Sequence, residues 1–172
     1  VAAFANCSGL SGTITLGENI TSIARCAFAA CKKLTGNLII PDKVTDIGGN
    51  AFYLNKALTG YLLIGSDVIQ IGKGAFSGGC VKTTSYPDNE HGHEYTNASF
   101  SRIYCKAVNV PSINNEWSNV NGTEWGECYD GYAFGSDSWW PTCLLFVPIG
   151  CKNAYEKADH WKDFNTIEEM EF

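Results

Sequence analysis

The sequence predicts a mainly-β solenoid of about five coils built from short parallel strands, and three observations predict it. An Ala-Phe dipeptide recurs at Ala3-Phe4, Ala27-Phe28, Ala51-Phe52 and Ala75-Phe76, each 24 residues after the last. Apolar residues keep register around it, in the columns Leu10/Leu34/Leu58, Ile14/Leu38/Leu62, Leu16/Ile40/Ile64, Ile20/Val44/Val68 and Ile23/Ile47/Ile71. Glycine holds a column of its own at Gly12, Gly36 and Gly60. A unit of this length cannot bury its strands and its Phe alone, so each must stack on its neighbours.

Spacing inside the unit describes its shape. Leu38 and Ile40 enclose one outward residue, Ile39, which predicts a short strand with one buried face. Pro41 ends that strand, because proline cannot donate to a ladder. A second extended piece follows at Val44-Thr45-Asp46-Ile47, bounded by Gly48, and Gly36 marks the bend before the first strand. The Ala-Phe segment is too short for a full helix and predicts a helical or 3₁₀ turn whose Phe stacks on that of the next coil. Stacking at about 4.8 Å per coil pairs each strand in parallel with its equivalent. One inserted residue in a strand would turn its core side chains outward.

The register is strict from Val1 to about Cys80 and then breaks. Phe100 lies 24 residues after Phe76, yet Ile103-Tyr104-Cys105-Lys106-Ala107 reads as a strand only three residues later. Phe100 therefore belongs to the Leu34 column with a bend one residue shorter, and residues 81–99 become an insertion. The next Ala-Phe is Ala133-Phe134. Leu144 and Phe146 follow it at the distances that separate Leu38 and Ile40 from Phe28, which places both in the core. Residues 109–132 form a second insertion rich in Asn, Gly, Trp and Tyr. Ala154, Tyr155, Ala158, Trp161 and Phe164 recur at helical spacing, predicting a capping helix over residues 151–164. The chain reads as one domain: residues 1–80 regular, 81–150 irregular with insertions, and 151–172 a C-terminal cap.

The string Cys-Lys-Lys-Leu-Thr-Gly-Asn-Leu-Ile-Ile-Pro-Asp-Lys-Val-Thr-Asp-Ile-Gly-Gly-Asn-Ala-Phe, Cys31 to Phe52, resembles the BspA-like leucine-rich repeat of bacterial surface proteins. The segment from Leu145 to Phe164 is similar to that family's terminal segment. The resemblance covers residues 1–80 and 143–168 and is loose between them. It implies a right-handed leucine-rich-repeat solenoid in a secreted or surface-anchored bacterial protein. It also implies adhesion to host or matrix proteins, as for some members, and no enzyme activity.

Composition removes other classes. The chain of 172 residues has a net charge of -6, and its 12 Lys and Arg are scattered, so no electrostatic footprint for nucleic acid exists. No apolar run approaches the roughly 20 residues that cross a bilayer, so membrane contact is expected only through an anchor outside this chain. Val1 falls inside a repeat, so the chain reads as a piece of a longer protein with an uncovered first coil that another chain would pair with. Eight cysteines contain no Cys-x-x-Cys pair. Cys7 and Cys31 share a column and are expected as free thiols filling the core, whereas partners for the later cysteines stay open.

Candidate chemistry is sparse. His91 and His93, beside Asp88, Glu90 and Glu94, have metal-ligand types but lack a placed third ligand, so the segment reads as an acidic loop tip and no metal or cofactor is expected. No nucleophile elbow, phosphate-cradling glycine loop or paired carboxylates appear. Partner binding is the stronger signal. Ile39, Tyr61 and Leu63 fall on the outward face of the first strands, where they would form an apolar patch that either meets a partner or is covered by an insertion. Trp117, Trp125, Trp139 and Trp140 lie in or beside the second insertion, with Tyr129 and Tyr132. Exposed rings of this kind serve protein contacts or sugar faces, and equally fold an insertion onto its scaffold. The expected function is a non-catalytic extracellular protein-binding module, the alternatives being glycan binding through the Trp-rich insertion or a structural spacer.

Overall fold

Two-residue alternation cut short by Gly and Pro leaves strands too brief to stand without neighbours, and a computed structural model shows how they are paired. It describes residues 2–77, 79–82, 93–96, 100–114, 133–134 and 144–172, with the backbone alone for 79–82 and 93–96. The strands are β1 Ser11–Gly12, β2 Ser22–Ile23, β3 Lys33–Leu34, β4 Leu38–Ile39, β5 Asp46–Ile47, β6 Tyr61–Ile64 and β7 Gln70–Gly72. They continue as β8 Gly79–Lys82, β9 His93–Thr96, β10 Arg102–Cys105, β11 Ser112–Asn114 and β12 Leu144–Pro148. One helical turn, α1 Lys152–Tyr155, then precedes β13 Ile167–Met170.

From the second coil on, one strand per coil joins a five-stranded sheet in the order β13-β12-β10-β6-β4; a second set joins a four-stranded sheet in the order β11-β7-β5-β2, and β1 and β3 pair in parallel at the preceding bend. All pairings in both sheets are parallel, as stacked coils require. Inward residues line up: Leu38, Leu62, Ile103, Leu145 and Ile167 in one column, Ile23, Ile47, Ile71 and Ile113 in another. The fold is therefore the mainly-β repeat solenoid that the period predicts.

The Ala-Phe segments form a third ladder. Phe4, Phe28 and Phe52 N–H groups donate to Ala27, Ala51 and Ala75 carbonyls at 2.8, 2.8 and 2.7 Å. Phe76 N–H donates to Ala133 O at 2.8 Å, which seats Ala133-Phe134 as the next equivalent. The rings of Phe4, Phe28, Phe52, Phe76 and Phe134 stack with centroid spacings of 5.2, 5.3, 5.9 and 5.5 Å. Beside them one column supplies side-chain donors to the preceding coil. Cys31 Sγ donates to Phe4 O at 3.0 Å, and Asn55 Nδ2 donates to Phe28 O at 2.8 Å. Cys31 is thus a buried free thiol with a donor's task, while free Cys7 is half-buried in the first coil.

Three expectations need correction. Residues 151–164 do not form a helix: α1 is one turn, and His160 takes a left-handed φ of 68°. The apolar spacing marks buried anchors instead, since Tyr155, Trp161 and Phe164 are all buried. The stretch after them returns to the sheet as β13, Ile167 pairing with Leu145. Residues 112–114 are not insertion but β11, Ile113 facing Ile71. The structure adds to the first insertion, without contradicting it, the antiparallel pairing of β8 with β9. Lastly, Ile103 pairs with Leu145 and Tyr104 with Phe146, so Leu145 and Val147 fill the core while Leu144 and Phe146 face outward.

Coils approach closely at the glycine after the second strand. A Cβ on Gly72 would meet the backbone of Gly49 and Gly48, and one on Gly48 would meet the backbone of Ala24 and Arg25. Gly72→Ala should therefore destabilise the fold by about 2 kcal/mol, the usual size of an overpacking penalty, read from the urea midpoint.

The core also carries a titratable pair. Tyr155 donates its hydroxyl to Ala107 O at 2.6 Å and lies 3.2 Å from Cys105 Sγ. Burial pushes the Cys105 thiol from its ordinary 9.0 up to about 11, and burial raises Tyr155 as well. A raised folded value favours the neutral thiol. Its share of stability is whole below pH 9 and falls away as pH rises through 11, because the unfolded thiol ionises first. Urea unfolding between these limits should lose stability by up to about 2–3 kcal/mol from this group, and Cys105→Val should flatten that slope.

Candidate partner-binding face

The parallel in-register ladder that aligns the core columns aligns the outward positions too. On the outer surface of the five-stranded sheet one row runs Ile39, Leu63, Tyr104, Phe146 and Glu168. The neighbouring row holds Tyr61, Arg102 and Leu144. Ile39 is 47% exposed, while Tyr61, Leu63, Tyr104, Leu144 and Phe146 are half-buried against one another. Tyr104 and Phe146 stack at 5.0 Å with planes 16° apart, and Tyr61 meets Tyr104 edge-on at 5.6 Å and 88°. This is a continuous apolar and aromatic strip across four strands, broken by one guanidinium.

Polar groups fix its borders. Asn37 Oδ1 accepts Tyr61 N–H at 3.0 Å, anchoring the start of β6 to the coil before it. Across the strip Asp42 accepts Lys106 Nζ on both oxygens at 2.6 Å, and its Oδ1 also accepts Ser66 N–H at 3.2 Å. The Lys106 ammonium is the main reason that the Asp42 carboxyl stays below its usual range. By contrast the outer residues of the four-stranded sheet are polar: Ser22, Asp46, Gln70 and Ser112 share one row. The two sheet faces thus differ in kind.

Of the sequence-predicted residues, Ile39, Tyr61 and Leu63 come together on this strip. Trp117, Trp125, Trp139 and Trp140 lie outside the described residues, as does His91, whereas the backbone of His93 opens β9 opposite Lys82. Tyr104 joins the strip without having been singled out, and Leu144 and Phe146 join it although the spacing had placed them in the core. A signal for Phe146 existed: Pro148 follows Val147 as Pro41 follows Ile40, and aligning the prolines sends Phe146 outward. Among the described residues no group of three His, Cys, Asp or Glu side chains is arranged to hold a metal. Nor is any described helix long and apolar enough to cross a membrane.

Comparison with known proteins gives a family. The model of the BspA type leucine-rich repeat region (6 copies) matches residues 1–120. The C-terminal coil, residues 144–170, lies beyond that match, although it continues the same sheet. No curated protein matches the chain. Repeats of this family suggest a protein-binding surface module, are generally non-catalytic, and are typical of bacterial surface or secreted proteins.

The outward placement of Phe146 is tested by a pair of substitutions. Val147→Ser should cost about 3 kcal/mol, since it buries an unpaired hydroxyl in place of a core methyl pair. Phe146→Ser should cost only about 1 kcal/mol, the worth of a half-exposed aromatic pair. Urea midpoints in the reverse order would put Phe146 back in the core.

Proposed function

The chain belongs to the BspA-type leucine-rich repeat family, and from that premise we propose that it is a non-catalytic adhesion module through which a bacterial surface protein binds another protein outside the cell. The observation that carries the reading is the aromatic strip on the five-stranded sheet. A monomeric soluble surface seldom leaves contiguous apolar area open without a use for it. Here Ile39, Tyr61, Leu63, Tyr104, Leu144 and Phe146 stand together on a rigid, backbone-bonded support. Rigid aromatic anchors of this sort give much contact energy for little lost side-chain freedom.

Ring geometry favours a protein over a sugar at this face. Sugar rings stack on open aromatic faces. The Tyr104 and Phe146 faces cover each other, and Tyr61 abuts Tyr104 edge-on. Rings engaged with one another in this way, beside the aliphatic flank of Ile39 and Leu63, suit apolar side chains.

With the chain immobilised on a biosensor, a panel of host matrix and serum proteins is expected to contain at least one saturable binder. Tyr104→Ala and Phe146→Ala should each weaken it at least tenfold, about 1.4 kcal/mol, with the circular dichroism of the fold retained. A panel without binders, or a binder indifferent to both substitutions, overturns the reading.

A further inference from the structure

Resting on the protein-binding reading of the aromatic strip, the geometry points to a more specific partner: a protein segment that sets an Asp or Glu carboxylate on Arg102 and apolar side chains on the rings around it. Arg102 opens β10 in the row between Tyr61 and Leu144, and the next residue but one on its strand is Tyr104. Its side chain is exposed, and it forms neither an ion pair nor a side-chain hydrogen bond among the described residues. The other cation of the same strand face, Lys106, is already held by Asp42 through both carboxylate oxygens.

That difference decides the partner's chemistry. A guanidinium amid apolar residues costs nothing while water covers it. A partner that covers Tyr61, Tyr104 and Leu144 removes that water, and an unanswered buried charge is strongly unfavourable. The group that answers guanidinium geometry best is a carboxylate, by two parallel hydrogen bonds. A dianionic phosphate fits less well, because Lys106 is committed to Asp42 and the chain's net charge is -6. Recognition at this point is therefore short-range and geometric rather than steered by a basic field. Glu168, exposed in the row beyond Phe146, gives the face an opposite pole and so a direction for the bound segment.

The test uses phage-displayed random dodecapeptides selected on the wild-type chain. Enriched sequences are then made as labelled peptides and titrated by fluorescence anisotropy against wild type, Tyr104→Ala and Arg102→Gln. The expected peptides place Asp or Glu beside Leu, Ile or Phe. Binding should be lost with Tyr104→Ala and fall about tenfold with Arg102→Gln. Replacing the peptide's acid by its amide should cost nothing more in the Arg102→Gln background, as a double-mutant cycle requires. Peptides that lack an acid and ignore Arg102→Gln, yet lose binding with Tyr104→Ala, overturn this inference and leave the binding face standing. Peptides indifferent to Tyr104→Ala, or no enrichment at all, overturn both. A wild-type dimer in light scattering that turns monomeric on Tyr104→Ala assigns the face to a second copy of the chain and also overturns the acidic-segment inference.

Discussion

Backbone-to-backbone contact between successive coils is the constraint on which everything else in this molecule depends. Ladders run along the stack in the five-stranded sheet, in the four-stranded sheet and through the Ala-Phe turns, and each ties a residue to the coil next to it. Residues accept unfavourable geometry to keep them. Ala30 and Leu54 hold φ of 57° and 62°, as Asn6 does at 59° in the same column. Left-handed backbone in residues with a Cβ costs roughly 1–2 kcal/mol each. It persists because the coils on either side leave no other path for the chain. At Gly48 and Gly72 the ladder leaves no room for a side chain at all.

The same constraint shapes the surface. A parallel, in-register ladder brings outward positions to the spacing of strands, about 4.8 Å. Tyr104 and Phe146 stack at 5.0 Å for that reason, just as the half-buried Phe28 ring and the buried Phe52 ring stack at 5.3 Å. An aromatic strip therefore needs no separate scaffold. It arises wherever consecutive coils carry rings at one outward position, and its rigidity is that of the sheet beneath.

How far the sequence disclosed this depends on whether a residue's place was fixed by period or by contact. Columns through Ile71 were legible because 24-residue spacing recurs, and Ile39, Tyr61 and Leu63 followed from them as outward positions. Beyond that, single-residue changes in corner length hid the pattern. Ile40 to Ile47 and Ile64 to Ile71 span seven residues, but Cys105 to Ile113 spans eight, so β11 read as insertion. One residue of slip between Phe134 and β12 turned Leu144 and Phe146 the wrong way. The cap misled differently. Its apolar spacing is helical, yet what fixes Tyr155 and Trp161 is hydrogen bonding to distant carbonyls, which periodicity does not reveal. In β13 only Ile167 carries the core signal, beside Glu168 and Glu169.

Those distant carbonyls explain how the stack closes and why its two faces end differently. The four-stranded sheet stops at β11, whereas the five-stranded sheet runs two strands further, through β12 and β13. Carbonyls on the corner between β10 and β11 thus have no equivalent strand to pair with, and buried carbonyls require donors. Side chains of the cap supply them: Tyr155 OH reaches Ala107 O at 2.6 Å, and Trp161 Nε1 reaches Pro111 O at 2.7 Å. Trp161 and Phe164 meanwhile cover the last ring of the stack, Phe134. By closing one sheet with side chains, the cap frees the chain to extend the other. Leu144 and Phe146 lie on that extension, so the cap that ends the core also completes the strip around Arg102.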